Sequence, residues 1–337
     1  MNRDAWPDFA RACAILLVIL FHARHSTWLV GFRNDALADR IWALVSEGLT
    51  PLRMPMFFVV SGMFAATAVG RPWSQVATKR VWNNLYLYLL WAVIYLLTTP
   101  TWPKLEESHF AVWEQIGMIA AGDTPAWYLW ALVAFFVVAR CTINMSAKLL
   151  LSISFVLSMV AVELRDQLHH PPRLMLQCLF FFLAGARCRE VPLRIAKEAT
   201  ALRLAVLTPL LVLLLAAYHF RFFGIFPVVG TAAVAWAITA TSLATRGSAR
   251  LCAFGTWLGS RTLPVYLMHF VVLTLLLNAC AVYLPEALKS SCIVSLLAPL
   301  ALSGATAVIC LAFASLLRRI GFKWLFEMPR LRVVRVR

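Results

Sequence analysis

Residues 8–22 read D-F-A-R-A-C-A-I-L-L-V-I-L-F-H, an apolar run that opens beside Arg11 and closes on His22. As an α-helix, the eleven steps between those residues turn about 1100°, which is three full turns and about 20° more. Arg11 and His22 therefore share one face, roughly 16 Å apart along the axis. A guanidinium and an imidazole on one face of a membrane helix are costly unless they line a protein-buried or watery cavity. Taken alone, Arg11 can snorkel to the headgroups and His22 can be a hydrogen-bonded packing residue. Their shared face tips the reading toward a site.

The rest of the chain supports the membrane reading. Its 337 residues are 62% hydrophobic and 14% charged, with a mean hydropathy of +0.79. A soluble domain carries about a quarter charged residues. The chain reads as an all-α, polytopic membrane bundle of one domain, since no long polar stretch could build a second. A span takes about 20 apolar residues. On that measure ten spans are expected, near 10–30, 51–69, 82–99, 125–144, 148–163, 173–190, 203–220, 223–244, 262–284 and 293–317. The turn around Arg221, between the seventh and eighth, is very tight. Segment 108–121 is too short and polar to span and is expected in the interface. The loop over about 24–50 mixes both charges and is long enough for a short helix of its own.

Charge orients the bundle. With the N-terminus in the cytoplasm and sides alternating, 22 of the 31 Lys and Arg residues fall inside, and 10 of the 15 acidic residues fall outside. The inside then carries +17 and the outside −1, as the positive-inside rule expects for ten spans with both ends cytoplasmic. The net charge of +16 is spread over span ends and tail rather than over a soluble face, which points to the membrane surface and excludes nucleic acid as a partner. The transmembrane domain is expected over 1–317, followed by a basic cytoplasmic tail over 318–337. No cleavable signal is evident ahead of the first span. The eight cysteines lie in or beside apolar runs without CxxC spacing and read as packing residues. Cys280 and Cys292 flank one loop and are the one pair a disulfide could join.

Several spans carry polar groups. The second reads F-F-V-V-S-G at 57–62, where Ser61 and Gly62 either allow close helix approach or face a substrate. The third opens with Lys79, Arg80, Asn83 and Asn84, which is a positive-inside loop or an anion site for phosphates. The fourth opens T-P-A-W-Y-L-W, so that Trp127 and Tyr128 belong to an aromatic belt or form a stacking platform for a sugar. The ninth places Tyr266 and His269 one turn apart. His269 and His22 lie at similar depth on different helices, which invites a shared cavity. No clustered third ligand is seen, so no metal is expected.

In chain order, Arg11 and His22 separated by ten residues, F-F-V-V-S-G at 57–62, Lys79-Arg80, A-W-Y-L at 126–129 and V-Y-L-M-H at 265–269 resemble the acyltransferase-3 family of integral-membrane acyltransferases, most closely its short stand-alone bacterial members. The resemblance covers essentially the whole chain. It implies about ten helices around a buried cavity in the bacterial inner membrane. It also implies transfer of an acetyl or short acyl group from cytoplasmic acyl-CoA to a hydroxyl of a glycan, glycolipid or lipid-linked acceptor, with no permanently bound cofactor. His22 would be catalytic, with Arg11 its companion at the donor side. Here the basic pair is followed by Asn83 rather than a further arginine, and Pro264 precedes the tyrosine of the ninth span.

On this reading His22 is the general base for the acceptor hydroxyl. Arg11, Lys79, Arg80 and Asn83 bind the donor, while Ser61, Trp127, Tyr128, Tyr266 and His269 line the acceptor side. Ser61, Asn84 and Tyr266 are the open choices for an oxyanion donor. The rival reading is a transporter or flippase of a lipid-linked glycan or small molecule, against which stands the lack of a duplicated half with matched broken helices. A scaffold in envelope assembly is a third.

Overall fold

A computed structural model describes residues 5–27, 36–98, 112–164, 167, 170–289 and 291–329. The helices are α1 (Trp6–Thr27), α2 (Ala36–Val69), α3 (Trp73–Ala77), α4 (Asn83–Thr98), α5 (Val112–Ala120), α6 (Trp127–Cys141), α7 (Ala147–Glu163) and α8 (His170–Arg187). They continue with α9 (Glu190–Lys197), α10 (Ala201–His219), α11 (Ile225–Gly247), α12 (Ala249–Gly259), α13 (Thr262–Tyr283), α14 (Glu286–Lys289) and α15 (Cys292–Arg319). Among the described residues there is no strand. Each expected span overlies a helix, and among the described residues seven helices are long and apolar enough to cross a membrane by length and composition. The spans expected at 125–144, 148–163 and 173–190 overlie α6, α7 and α8, of 15, 17 and 18 residues. No disulfide joins Cys280 and Cys292.

The second span corrects the expectation for 24–50. Residues 36–50 form no separate helix but continue into the span, giving α2 its 34 residues despite Pro51 and Pro55. Each proline removes an N–H from the helical ladder. Beside Pro51, the Thr50 hydroxyl donates to the Ser46 carbonyl at 2.9 Å and accepts from the Arg53 guanidinium at 3.0 Å. Side-chain partners of this kind let a proline persist in a membrane helix.

Two glycine contacts bring backbones together. A Cβ on Gly62 would stand 2.1 Å from the Phe182 carbonyl oxygen, and one on Gly185 would stand 2.1 Å from that of Val59. α2 and α8 thus pack backbone to backbone through reciprocal glycines, the small-residue mode of membrane helices. Gly259 on α12 meets the Asp8 backbone of α1 in the same way, and Gly255, one turn earlier, meets the Phe9 side chain. The tight turn between α10 and α11 is closed by Arg221 at φ 58° and Gly224 at φ 67°.

The arginines of the basic end also serve as helix caps. Arg140 donates to the carbonyls of Val69 (2.8 Å) and Arg71 (2.6 Å) just past α2. Arg187 reaches Ile143 and Met145 after α6, and Arg246 reaches Ala196 at the end of α9. Terminal carbonyls lack intrahelical partners, and cations are favoured there.

Part of the basic tail packs on the bundle. Residues 323–328 fold back on α4: Trp91 and Tyr86 donate to the carbonyls of Leu325 (2.8 Å) and Trp324 (3.2 Å), and Met328 N–H donates to Asn83 Oδ1 (2.9 Å). Phe326 is buried and lies under the Arg318 guanidinium. The reach 330–337 lies outside the described residues, as does 108–111 of the expected interfacial segment.

Candidate active site

The entry to α4 is not a regular helix. Thr78–Trp82 forms a π turn, in which the N–H of Asn83 bonds back five residues to the Thr78 carbonyl. Such bulges leave carbonyls unpaired and recur at functional sites. Here Asn84 Nδ2 donates to the Arg80 carbonyl at 3.0 Å, and the Arg80 guanidinium donates to the Phe64 carbonyl at 2.6 Å. The extra residue turns Lys79, Arg80, Asn83 and Asn84 together into the wall of a cavity of about 500 Å³.

Arg11 joins them from α1. Its guanidinium donates to Thr262 Oγ1 at 2.8 Å, lies 3.8 Å from Asp8 and sits 5.9 Å from the Phe64 ring centroid. Three cations thus face one cavity whose lining, among the described residues, contains no carboxylate. An anion entering it would meet charge and several N–H donors at once.

Deeper in the same cavity, the Ser61 and Tyr128 hydroxyls stand 2.5 Å apart. Two hydroxyls sharing one hydrogen bond leave one O–H over, whichever of them donates. Tyr266 also lines the cavity, but its proton is committed. Its hydroxyl donates to the Pro125 carbonyl at 3.0 Å and accepts from the Tyr128 N–H at 3.1 Å. Tyr266 is therefore a strap that holds the start of α6 against α13. Of the open choices for an oxyanion donor, the geometry leaves Ser61 with Tyr128, and Asn84 with its second N–H.

Both ends of the α1 face named at the outset meet α13. Arg11 touches Thr262, while the His22 ring lies 5.2 Å from His269 and 5.7 Å from Phe270. The histidines do not line the cavity. Val18, one turn before His22, does. Tyr128, Tyr266, His269 and His22 form a line of rings with centroids 5.5, 5.8 and 5.2 Å apart, running from cavity to histidine pair. His269 is fully buried, and its Nδ1 lies 2.5 Å from the Tyr266 carbonyl. A carbonyl only accepts, so Nδ1 carries the proton and Nε2 keeps its lone pair. That Nε2 has no hydrogen-bond partner among the described residues. No third His, Cys, Asp or Glu among them joins the pair in a metal-like cluster.

Trp127 is placed elsewhere. It packs on Phe58, with centroids 5.9 Å apart, and stands outside the cavity lining. Thr262 was not singled out from the sequence. Its only local signal is its place just after Arg261 at the mouth of α13.

A helical membrane bundle with a cationic cavity, and with a pair of histidines beyond it of which His269 is buried, defines a polytopic membrane protein with a candidate anion site. The chain belongs to the acyltransferase-3 family: that family's model, described as an acyltransferase domain, matches residues 4–317. The inner membrane protein YcfT of Escherichia coli (strain K12) is similar, at 26% identity over 218 residues, covering 57% of this chain and 60% of that protein. The chain thus matches less than two thirds of the length of this relative. No solved structure matches it.

Proposed function

We propose that the protein transfers an acetyl or other short acyl group from acyl-CoA to a hydroxyl of an envelope glycan, glycolipid or lipid-linked acceptor, at the bacterial inner membrane. The observation that carries this reading is one cavity with Arg11, Lys79 and Arg80 at its basic end and the Ser61–Tyr128 hydroxyl pair at depth. The first group suits the phosphates of CoA. The second suits an oxyanion. Family membership and the name of the Escherichia coli relative support the reaction class and the membrane.

In this proposal the acceptor hydroxyl and the thioester meet at the end of the cavity marked by Val18, one turn before His22, with the partly exposed His22 ring beyond it and the Ser61–Tyr128 pair on the cavity side. His22 takes the hydroxyl proton as the oxygen attacks the thioester carbonyl. A C–O bond forms, the spare hydroxyl hydrogen at Ser61–Tyr128 stabilises the oxyanion, and the C–S bond then breaks. The proton passes from His22 to the departing thiolate. His269 fixes the His22 ring from behind.

The test is mass spectrometry of envelope glycans and lipids from cells with and without the gene, paired with transfer of radiolabel from acetyl-CoA in membranes. A gene-dependent mass shift of one acyl unit, lost in His22→Ala, is expected. Parent-rate transfer in His22→Ala would sink the mechanism. Loss of glycan or drug flux without any acetyl-CoA turnover would establish the transport reading instead.

A further inference from the structure

A second cavity of about 500 Å³ lies on the other side of α13. Thr262, Leu263 and Tyr266 face the cationic cavity, while Met268, Val272 and Leu275 face the second one. At 100° per residue these sets point in nearly opposite directions. The second cavity is a groove with a buried floor of Trp91, Met268 and Val272 and an exposed rim that includes Leu275, Ile309 and Phe313. No polar side chain lines it except the indole of Trp91, and that N–H is already given to the Leu325 carbonyl. The groove therefore presents only hydrocarbon-compatible surface.

One end of the groove is closed by Leu317 and Leu325, where α15 meets the folded-back tail. The surface there is cationic: Arg318, Arg319 and Lys323 are exposed, against one exposed acid, Glu327. Phe322 and Trp324 are exposed in the same turn, as interfacial aromatics are. From Met268 to Leu276 the groove runs eight residues along α13, about 12 Å. Counted from Thr262 at the cytoplasmic end, Met268 lies about 9 Å deep and Leu276 about 21 Å deep, so the groove runs from the cytoplasmic leaflet to a little past the middle of a roughly 30 Å hydrocarbon core, a reach that suits a long acyl chain.

We propose that this groove is a binding site for one anionic phospholipid of the cytoplasmic leaflet, with an acyl chain along Met268, Val272 and Phe313 and its headgroup phosphate on Arg318, Arg319 and Lys323. Charge complementarity selects the anionic headgroup. The orientation follows from the positive-inside charge of the same end. The inference does not depend on the transferase reading. It has a structural consequence nonetheless: the lipid braces the turn whose Met328 N–H holds Asn83, a residue in the wall of the cationic cavity.

Native mass spectrometry of the delipidated full chain, titrated with phosphatidylglycerol, phosphatidylcholine and palmitoyl-CoA, tests the site. One phosphatidylglycerol retained about ten-fold more tightly than phosphatidylcholine is expected. An Arg318→Ala, Arg319→Ala, Lys323→Ala triple variant should erase that preference. Leu275→Trp, which fills the rim from an exposed position, should weaken both lipids while leaving the melting temperature within a few degrees of the parent. Phosphatidylglycerol carrying a diazirine on its acyl chain should label peptides holding Leu275, Ile309 or Phe313. Equal retention of the two phospholipids, labelling spread over the exposed face of α10, or displacement of phosphatidylglycerol by palmitoyl-CoA would each overturn the proposal.

Discussion

The imidazole of His22 on α1 lies 5.2 Å from that of His269 on α13, with the two rings tilted by 49°. The contact joins the first and penultimate long helices of the chain. It leaves His269 Nε2, a buried acceptor, without a hydrogen-bond partner among the described residues. A buried polar atom left unpaired costs about 1–3 kcal/mol. A ligand hydroxyl or an N–H of His22 turning toward it would recover that cost.

His22→Ala should lower acyl transfer by about 10²–10⁴-fold, the range for a lost general base. Binding of CoA to the purified protein should be unchanged, because His22 lies outside the cavity lining. Radiolabel transfer and equilibrium binding, measured side by side, check this. A large loss of CoA affinity would place His22 in donor binding instead.

His269→Phe retains a ring of similar bulk and removes both nitrogens. The expected result is a melting temperature within a few degrees of the parent with transfer reduced at least about ten-fold, as for a positioning residue one step behind the base. His269→Gln, which keeps a hydrogen-bonding group, should recover part of the rate. Parent-like transfer in His269→Phe would make the histidine pair a packing contact.

Ser61→Ala and Tyr128→Phe each break the 2.5 Å hydrogen bond but leave one hydroxyl facing the cavity. Each single variant should lose less than about ten-fold in kcat. The double variant should lose about 10²–10³-fold, the scale of a removed oxyanion donor. The non-additivity is the diagnostic. Strictly additive effects would mean that the two hydroxyls act separately.

Lys79→Ala should weaken CoA about ten-fold, raise KM and leave kcat near the parent value, since an exposed cation at a phosphate acts on binding. The effect should shrink with added salt as the charge is screened. Arg80→Ala is a compound change, because Arg80 also holds the Phe64 carbonyl.

Gly62→Ala sets a Cβ 2.1 Å from the backbone oxygen of Phe182, and Gly185→Ala does the same against Val59. Each should destabilise the bundle by about 1–3 kcal/mol, the cost of overpacking, visible as a lower melting temperature. Gly304→Ala, with nothing within 4 Å of the added atom, is the control and should be neutral or slightly stabilising.

Much of this was legible in the chain itself. The apolar runs placed every long helix, because a membrane span must satisfy its own backbone and declares itself by length and hydropathy. The spacing of Arg11 and His22 placed both on one face of α1, because helical period is a local property, and the structure turns that face to α13. Other features left a weak signal. The G-x-x-x-G at 255–259 is a helix-approach pattern, yet the partner it meets at Asp8 and Phe9 is some 250 residues away in the chain. The π turn at Thr78–Trp82 and the helical run ahead of Pro51 had no clear local cue.

The sequence by itself determined the class of protein, the long apolar helices and the shared face of Arg11 and His22 on α1. The tertiary structure alone decided which groups share the cavity. It paired Ser61 with Tyr128, committed Tyr266 to Pro125, set His269 behind His22 and moved Trp127 away. The reason is the solvent. In water, one apolar stripe tells which face of a helix is buried. In lipid both faces of a helix such as α13 are apolar, so the buried face is chosen by close packing and long-range hydrogen bonds that no local period reports.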